Sequence, residues 1–198
     1  MVSCVEELQT KLPQTLQAER VLVVRAELGK SLEVGPSKHG ARYVVPIIGG
    51  RFAGVTARLA GEVLSGGADW QLLRPDGVLE IDARYTLRVE DGTLLHVRNR
   101  GIVVPPPAPQ PGQAQAPVYV RTVPELEAPL DSEHVWLNRT LLIGTLELVA
   151  PSGVVVAHLP RALAPISRWA VGAADAVVHV LTLDPLAFRA TARAIDLP

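Results

Sequence analysis

Two short segments carry charged side chains at every second residue. Asp82 and Arg84 alternate with Ile81 and Tyr85 in LEIDARY, and Arg98 and Arg100 alternate with Val97 and Gly101 in VRNRG. A carboxylate within reach of guanidinium groups is a set that can take up a proton and stabilise the oxyanion or enolate that results. A second candidate lies upstream in Gly66-Gly67-Ala68-Asp69-Trp70-Gln71, where the glycine pair predicts a tight turn presenting Asp69 and Trp70 at a rim. The indole would offer a broad apolar wall to a ring-bearing ligand. The bland alternatives are a core tryptophan beside a turn aspartate, and a solvated sheet surface for the Asp/Arg row.

These groups act together only if the chain pairs them, and the pairing turns on Val89-Glu90-Asp91-Gly92-Thr93. A two-residue Asp91-Gly92 turn would mix polar and apolar side chains on both faces of the hairpin. A three-residue loop with Gly92 left-handed puts Asp82 opposite Arg100, Arg84 opposite Arg98 and Thr86 opposite His96. Leu79, Ile81, Tyr85 and Leu87 then share the other face with Val103, Gly101, Val97 and Leu95. A one-residue slip moves every side chain to the opposite face, so this segregation favours the three-residue loop. If the charged face turns into a barrel, Arg98 and Arg100 would bind an oxyanion there and Asp82 would accept a proton.

The elements around this hairpin read as strands. Period-two alternation starts near residue 20, and further strand-like runs follow at 41–48, 53–64, 78–89, 94–104, 118–122, 135–149 and 153–158, separated by Gly, Pro and Asp-Gly. No helical crossovers lie between them, which predicts antiparallel pairing. The fold class expected is all-β: an antiparallel barrel over 20–158, with a short N-terminal helix in 1–19 from the spacing of Val5, Leu8, Leu12 and Leu16. Residues 105–117, PPPAPQPGQAQAP, predict an extended loop. The Ala-rich extension 159–198 suggests helix at 166–182 and 186–194.

Bulk properties narrow the function. A chain of 198 residues with 48% hydrophobic and 20% charged side chains can bury one core without metals or crosslinks. A net charge of −1 supplies no basic footprint for nucleic acid or an anionic membrane. The single cysteine, Cys4, cannot form an internal disulfide, and the first residues lack a secretory pattern, so a cytoplasmic location is expected. The five histidines show no metal-ligand spacing, and no phosphate-binding glycine loop or nucleophile elbow occurs. No metal and no cofactor are expected.

Four motifs in order, GGADWQ at 66–71, LEIDARY at 79–85, Asn99-Arg100-Gly101 and Trp136-Leu137-Asn138-Arg139, resemble the domain-of-unknown-function family 3237 over about residues 20–158. The resemblance implies a compact β-barrel, often oligomeric and without a fixed cofactor, some members of which serve as cyclases or isomerases in natural-product pathways. It carries over Asp69, Trp70, Asp82, Arg84, Tyr85, Arg100, Arg121 and Asn138 as pocket residues. Arg98, from the hairpin pairing, and Trp136 are expected beside them as further substrate contacts. For Arg121 and Asn138 the alternative is loop capping.

The function expected is therefore a cofactor-independent isomerase or cyclase acting on a small organic molecule. Asp82 or Asp69 would move the proton, and Arg84, Arg100 or Arg121 would stabilise the oxyanion. The alternative is a non-catalytic binding or carrier barrel of lipocalin type, in which the same residues fix the polar end of a ligand. A structural oligomer with a filled barrel is a third reading.

Overall fold

The structure, a computed structural model, describes residues 18–55, 58–106, 118–149 and 175–182. Ten strands are present among them: β1 (Glu19–Leu28), β2 (Leu32–Ser37), β3 (Gly40–Gly54), β4 (Ala60–Val63), β5 (Gly67–Leu73), β6 (Leu79–Val89), β7 (Leu94–Val104), β8 (Tyr119–Glu127), β9 (Leu142–Val149) and β10 (Asp175–Thr182). A single 3-10 turn, Val135–Arg139, separates β8 from β9.

All pairings are antiparallel. From β1 the order runs through β10, β9, β8, β7, β6, β4 and β3 to β2, with β5 inserted between β3 and β6. Because β1 also pairs with β3, the sheet closes on itself: Val24 lies between Val178 on one side and Phe52 on the other. Closure pairs both sides of β1 and β3 and leaves β2, which pairs only with β3, as a short free edge.

The β6–β7 hairpin adopts the three-residue loop. Gly92 has φ +90°, Val89 N–H donates to Thr93 O, and Asp82 faces Arg100, Arg84 faces Arg98 and Thr86 faces His96. The apolar face of this ribbon turns inward, with Leu87, Leu95 and Val97 fully buried.

Along the barrel axis the interior divides in two. Towards the β6–β7 turn, Leu22, Phe52, Leu59, Leu87, Leu95 and Leu142 pack with Leu137 of the 3-10 turn into a filled core. Each such buried side chain contributes roughly 1.5–3 kcal/mol. Towards the other end, Leu79, Ile81, Val103 and Val120 form a smaller apolar cluster. The inner wall between the two holds the polar residues.

Several expectations need correction. Residues 67–73 form β5 rather than a rim turn, so Asp69 and Trp70 sit in the wall on opposite faces. The run 135–149 is a 3-10 turn followed by a strand. The helix expected over 166–182 is contradicted at 175–182, where DAVVHVLT is a strand paired along its whole length to β1 and β9. Four of its eight residues are Val or Thr, whose branched Cβ favours strand, and both neighbours otherwise present unpaired ladders. The N-terminal helix at 1–19, the expected strand at 153–158 and the helix at 186–194 fall wholly or almost wholly outside the described residues.

Candidate functional site

The inner wall carries its polar groups at matching height. Asp69 and Gln71 alternate along β5 and point inward, Asp69 pairs with Ala83 of β6, and Ala83 pairs with Asn99 of β7. With Tyr85 these side chains line an interior cavity of about 50 Å³ whose remaining wall is mostly apolar, including Val45, Ile47, Ile81 and Val103. That space admits a few water-sized groups, so a larger ligand would insert only one end.

Asp69 is 9% exposed. Gln71 Nε2 donates to its Oδ2 at 2.7 Å, and the backbone N–H of Asp82 donates to its Oδ1 at 3.0 Å. Burial pushes the carboxyl up to about 6, against the opposing pull of those two hydrogen bonds, and the nearby Asp82 charge adds to the rise. Near neutral pH such a group is poised to take up or release a proton. Tyr85, buried beside it, has its hydroxyl pushed above the ordinary tyrosine range, first by burial and then by the Asp69 charge. It stays protonated and can donate a hydrogen bond. Asn99 is 1% exposed, and its Oδ1 has no partner among the described residues.

The Asp/Arg row lies on the outside of the same wall. Arg98 grips Asp82 with two hydrogen bonds, Nε to Oδ1 at 3.0 Å and Nη2 to Oδ2 at 2.9 Å, and Arg84 Nη2 adds a third at 3.1 Å. Arg98, then Arg84, hold the Asp82 carboxyl well below the usual carboxylate range. Arg100 pairs with Glu125 at 2.6 Å. Burying four charged groups inside a small barrel would cost far more than leaving them in water, which is why the apolar face turned inward.

The other predicted residues also separate. Trp70 is 43% exposed on the outer face, with the Arg84 guanidinium 5.8 Å from its ring centroid. Arg121 lies over Tyr119 at 5.0 Å and donates to Val120 O. Trp136 packs against the filled core at the plugged end. Asn138 donates from Nδ2 to Ala128 O at 2.9 Å and accepts from Ala128 N–H at 2.7 Å, so its amide substitutes for a strand partner at the end of β8. Of the ten predicted site residues, the cavity gathers Asp69 and Tyr85. Gln71 and Asn99 were not predicted, although Asn99 is the polar exception in the inward row Leu95, Val97, Gly101, Val103, and that irregularity is visible in the alternation.

A closed antiparallel barrel, plugged at one end and holding a buried carboxyl, an amide pair and a phenol in an otherwise apolar cavity, defines a small β-barrel protein with an interior polar centre. The chain belongs to DUF3237, a family described as protein of unknown function, whose model matches residues 16–159. It is 31% identical over 150 residues to a UPF0311 protein of Bradyrhizobium diazoefficiens, covering 73% of this chain and 96% of that protein. A conserved protein of unknown function from Rhodopseudomonas palustris has a similar crystal structure, with TM-score 0.63 and 26% identity over 86% of this chain and 99% of the other. An enzyme from Penicillium herquei shares the fold at TM-score 0.55 and 17% identity, over 87% and 97% of the two chains. Strand β10 lies beyond the family match yet closes the barrel.

Among the described residues, no helix is long and apolar enough to cross a membrane.

Proposed function

We propose that this protein is a cofactor-independent isomerase or cyclase that moves a proton on a small organic substrate inserted into the barrel cavity. Asp69 is the acid/base group, Gln71 and the Asp82 backbone N–H hold its carboxyl in place, and the Tyr85 hydroxyl and Asn99 amide bind the substrate oxygen whose charge develops. The observation that carries the reading is Asp69 itself: a carboxyl buried in an apolar cavity, with both oxygens fixed and its pKa pushed up to about 6. The Arg84, Arg98 and Arg100 side chains, on the outer face, take no part in the chemistry. The P. herquei neighbour, described as an enzyme, is compatible with catalysis on this fold.

The elementary step can be tested before the natural substrate is known. Enolisable cyclic ketones incubated with the protein in D₂O should incorporate deuterium at the carbon next to the carbonyl, at a rate that rises through about pH 6 as Asp69 ionises. Asp69→Asn should lower the protein-dependent rate by about 10²–10⁴-fold, the range for a positioned acid/base group. Ketone recovered without deuterium from the wild-type protein, despite saturable binding, would favour a carrier over an enzyme.

A further inference from the structure

Among the described residues, the shortest ladder of the barrel joins β8 to β9 through a single pair, Thr122 with Gly144. Successive residues of an antiparallel strand turn their N–H and C=O to opposite sides. The Arg121 carbonyl oxygen crowds Gly101 of β7, so the even-numbered residues of β8 turn their backbone groups towards β9. Three of these have partners: Val120 O accepts from Arg121 Nη1, Thr122 pairs with Gly144, and Ala128 exchanges two hydrogen bonds with the Asn138 amide. Pro124 and Leu126, which lie between them, have no ladder partner on that side. Pro124 has no N–H to leave open, whereas Leu126 presents both a donor and an acceptor.

The two strands splay around a surface groove of about 510 Å³, floored by Leu126, Leu137 and Leu142 of the filled core and rimmed by Val123, Leu130 and Leu141. Leu130 is 84% exposed and Leu141 81%. An apolar rim beside open ladder positions is the arrangement that accepts an extended peptide as an added strand. Such a strand would turn alternate side chains to the two faces. Inward ones meet Leu137 and Leu142, and outward ones stand beside Glu125 and Glu127. Among the described residues no Lys, Arg or His lines the groove. Glu125 already pairs with Arg100, but Glu127 has no ion pair among the described residues, so the outward position beside it favours a cation. A second copy offering its own β8 antiparallel would set these glutamates against their counterparts, which is unfavourable.

We propose that this groove binds an extended segment of a partner protein as an added strand along β8. The segment alternates apolar and basic residues: the apolar side chains lie inward over Leu137 and Leu142, a Lys or Arg lies outward beside Glu127, and its backbone pairs with Leu126. The groove lies outside the filled core, at the plugged end of the barrel, and is separate from the Asp69 cavity.

The test is an NMR titration of the full-length, methyl-labelled protein at low salt with two synthetic peptides, acetyl-Val-Lys-Val-Lys-Val-amide and acetyl-Val-Glu-Val-Glu-Val-amide. The basic peptide should shift the Val123, Leu130 and Leu141 methyl signals saturably and slow hydrogen exchange at the Leu126 amide. It should bind about tenfold more tightly than the acidic one, the combined effect of exchanging like-charged for oppositely charged cross-strand neighbours. Two surface variants sharpen the result. Glu127→Lys should reverse the preference between the peptides, and Leu141→Ser should weaken the basic peptide by at least about threefold. Equal binding of the acidic peptide, or a preference unchanged in Glu127→Lys, overturns the proposal. Methyl shifts without protection of the Leu126 amide would make the groove an apolar ligand site and also overturn it. So would a Leu126 amide protected before peptide is added: if that protection grows with protein concentration the occupant is a second copy, and if it does not the chain fills its own groove.

Discussion

Asp69 and Asp82 are joined by a single hydrogen bond across one barrel wall, yet they occupy opposite chemical worlds. Asp69, inside, is deprived of water and has its carboxyl pushed up to about 6. Asp82, outside, is gripped by Arg98 and Arg84 and is held well below the usual range. Solvation, rather than residue type or local sequence, sets which one can exchange a proton near neutral pH. A charged row whose residue types suit catalysis is the outer clamp that fixes the position of the Asp82 backbone, and through it one oxygen of Asp69.

The same contrast between faces governs stability. The largest expected effect comes from adjacent residues of β6. Leu87→Ala empties a fully buried site in the filled half and should cost about 2–5 kcal/mol. Arg88→Ala removes only an exposed pair with Glu62 and should cost less than about 1 kcal/mol. Chemical denaturation of the two variants measures the difference, and similar losses would mean that the wall is not sided as described.

Asp69 predicts a pH dependence of unusual sign. Its carboxyl ionises in the unfolded chain near pH 3.9 but in the folded protein only at about 6, so the folded state binds the extra proton between those values. The stability this contributes is fully present below about pH 4 and is lost as pH rises through about 6, on the order of 3 kcal/mol. Asp82 has the opposite shift: its contribution is present above about pH 4 and is lost only as pH falls below that, so it adds no slope between about pH 4 and 6. Denaturation midpoints measured across pH 4–7 should fall for the wild type and stay flat for Asp69→Asn. The smallest effect is expected at Arg100→Ala, whose surface pair with Glu125 is worth under about 1 kcal/mol and whose loss should leave deuterium exchange unchanged within about twofold.

Much of the hairpin is legible in the amino-acid sequence. The pairing of Asp82 with Arg100 and of Arg84 with Arg98 follows from Gly92 and from the rule that a one-residue slip exchanges the faces. Which face looks inward is harder to read, because a functional site can invert the usual preference, and four charges at even spacing suggest one. The polar residues that do face the cavity are hidden by their surroundings. Asp69 and Gln71 flank the exposed Trp70 in a strand of inverted polarity, next to glycines that read as a turn. Asn99 stands between two arginines that draw attention to the other face. Strand β10 is illegible for a different reason: alanine and valine in a tail satisfy helical and strand patterns alike, and only the unpaired ladders of β1 and β9, far away in sequence, decide between them.

Asp69 is the point on which fold, electrostatics and chemistry meet, and its ionisation can be observed directly. Carbon-13 NMR of the side-chain carboxyls across pH 2–9, with Asp69→Asn and Asp82→Asn used for assignment, should show one aspartate titrating near pH 6 that vanishes in the Asp69 variant. Asp82 should remain ionised below the usual carboxylate range. An Asp69 carboxyl that titrates at or below about pH 4, the ordinary aspartate value, would contradict a desolvated acid/base group in the barrel, and with it the proposed function.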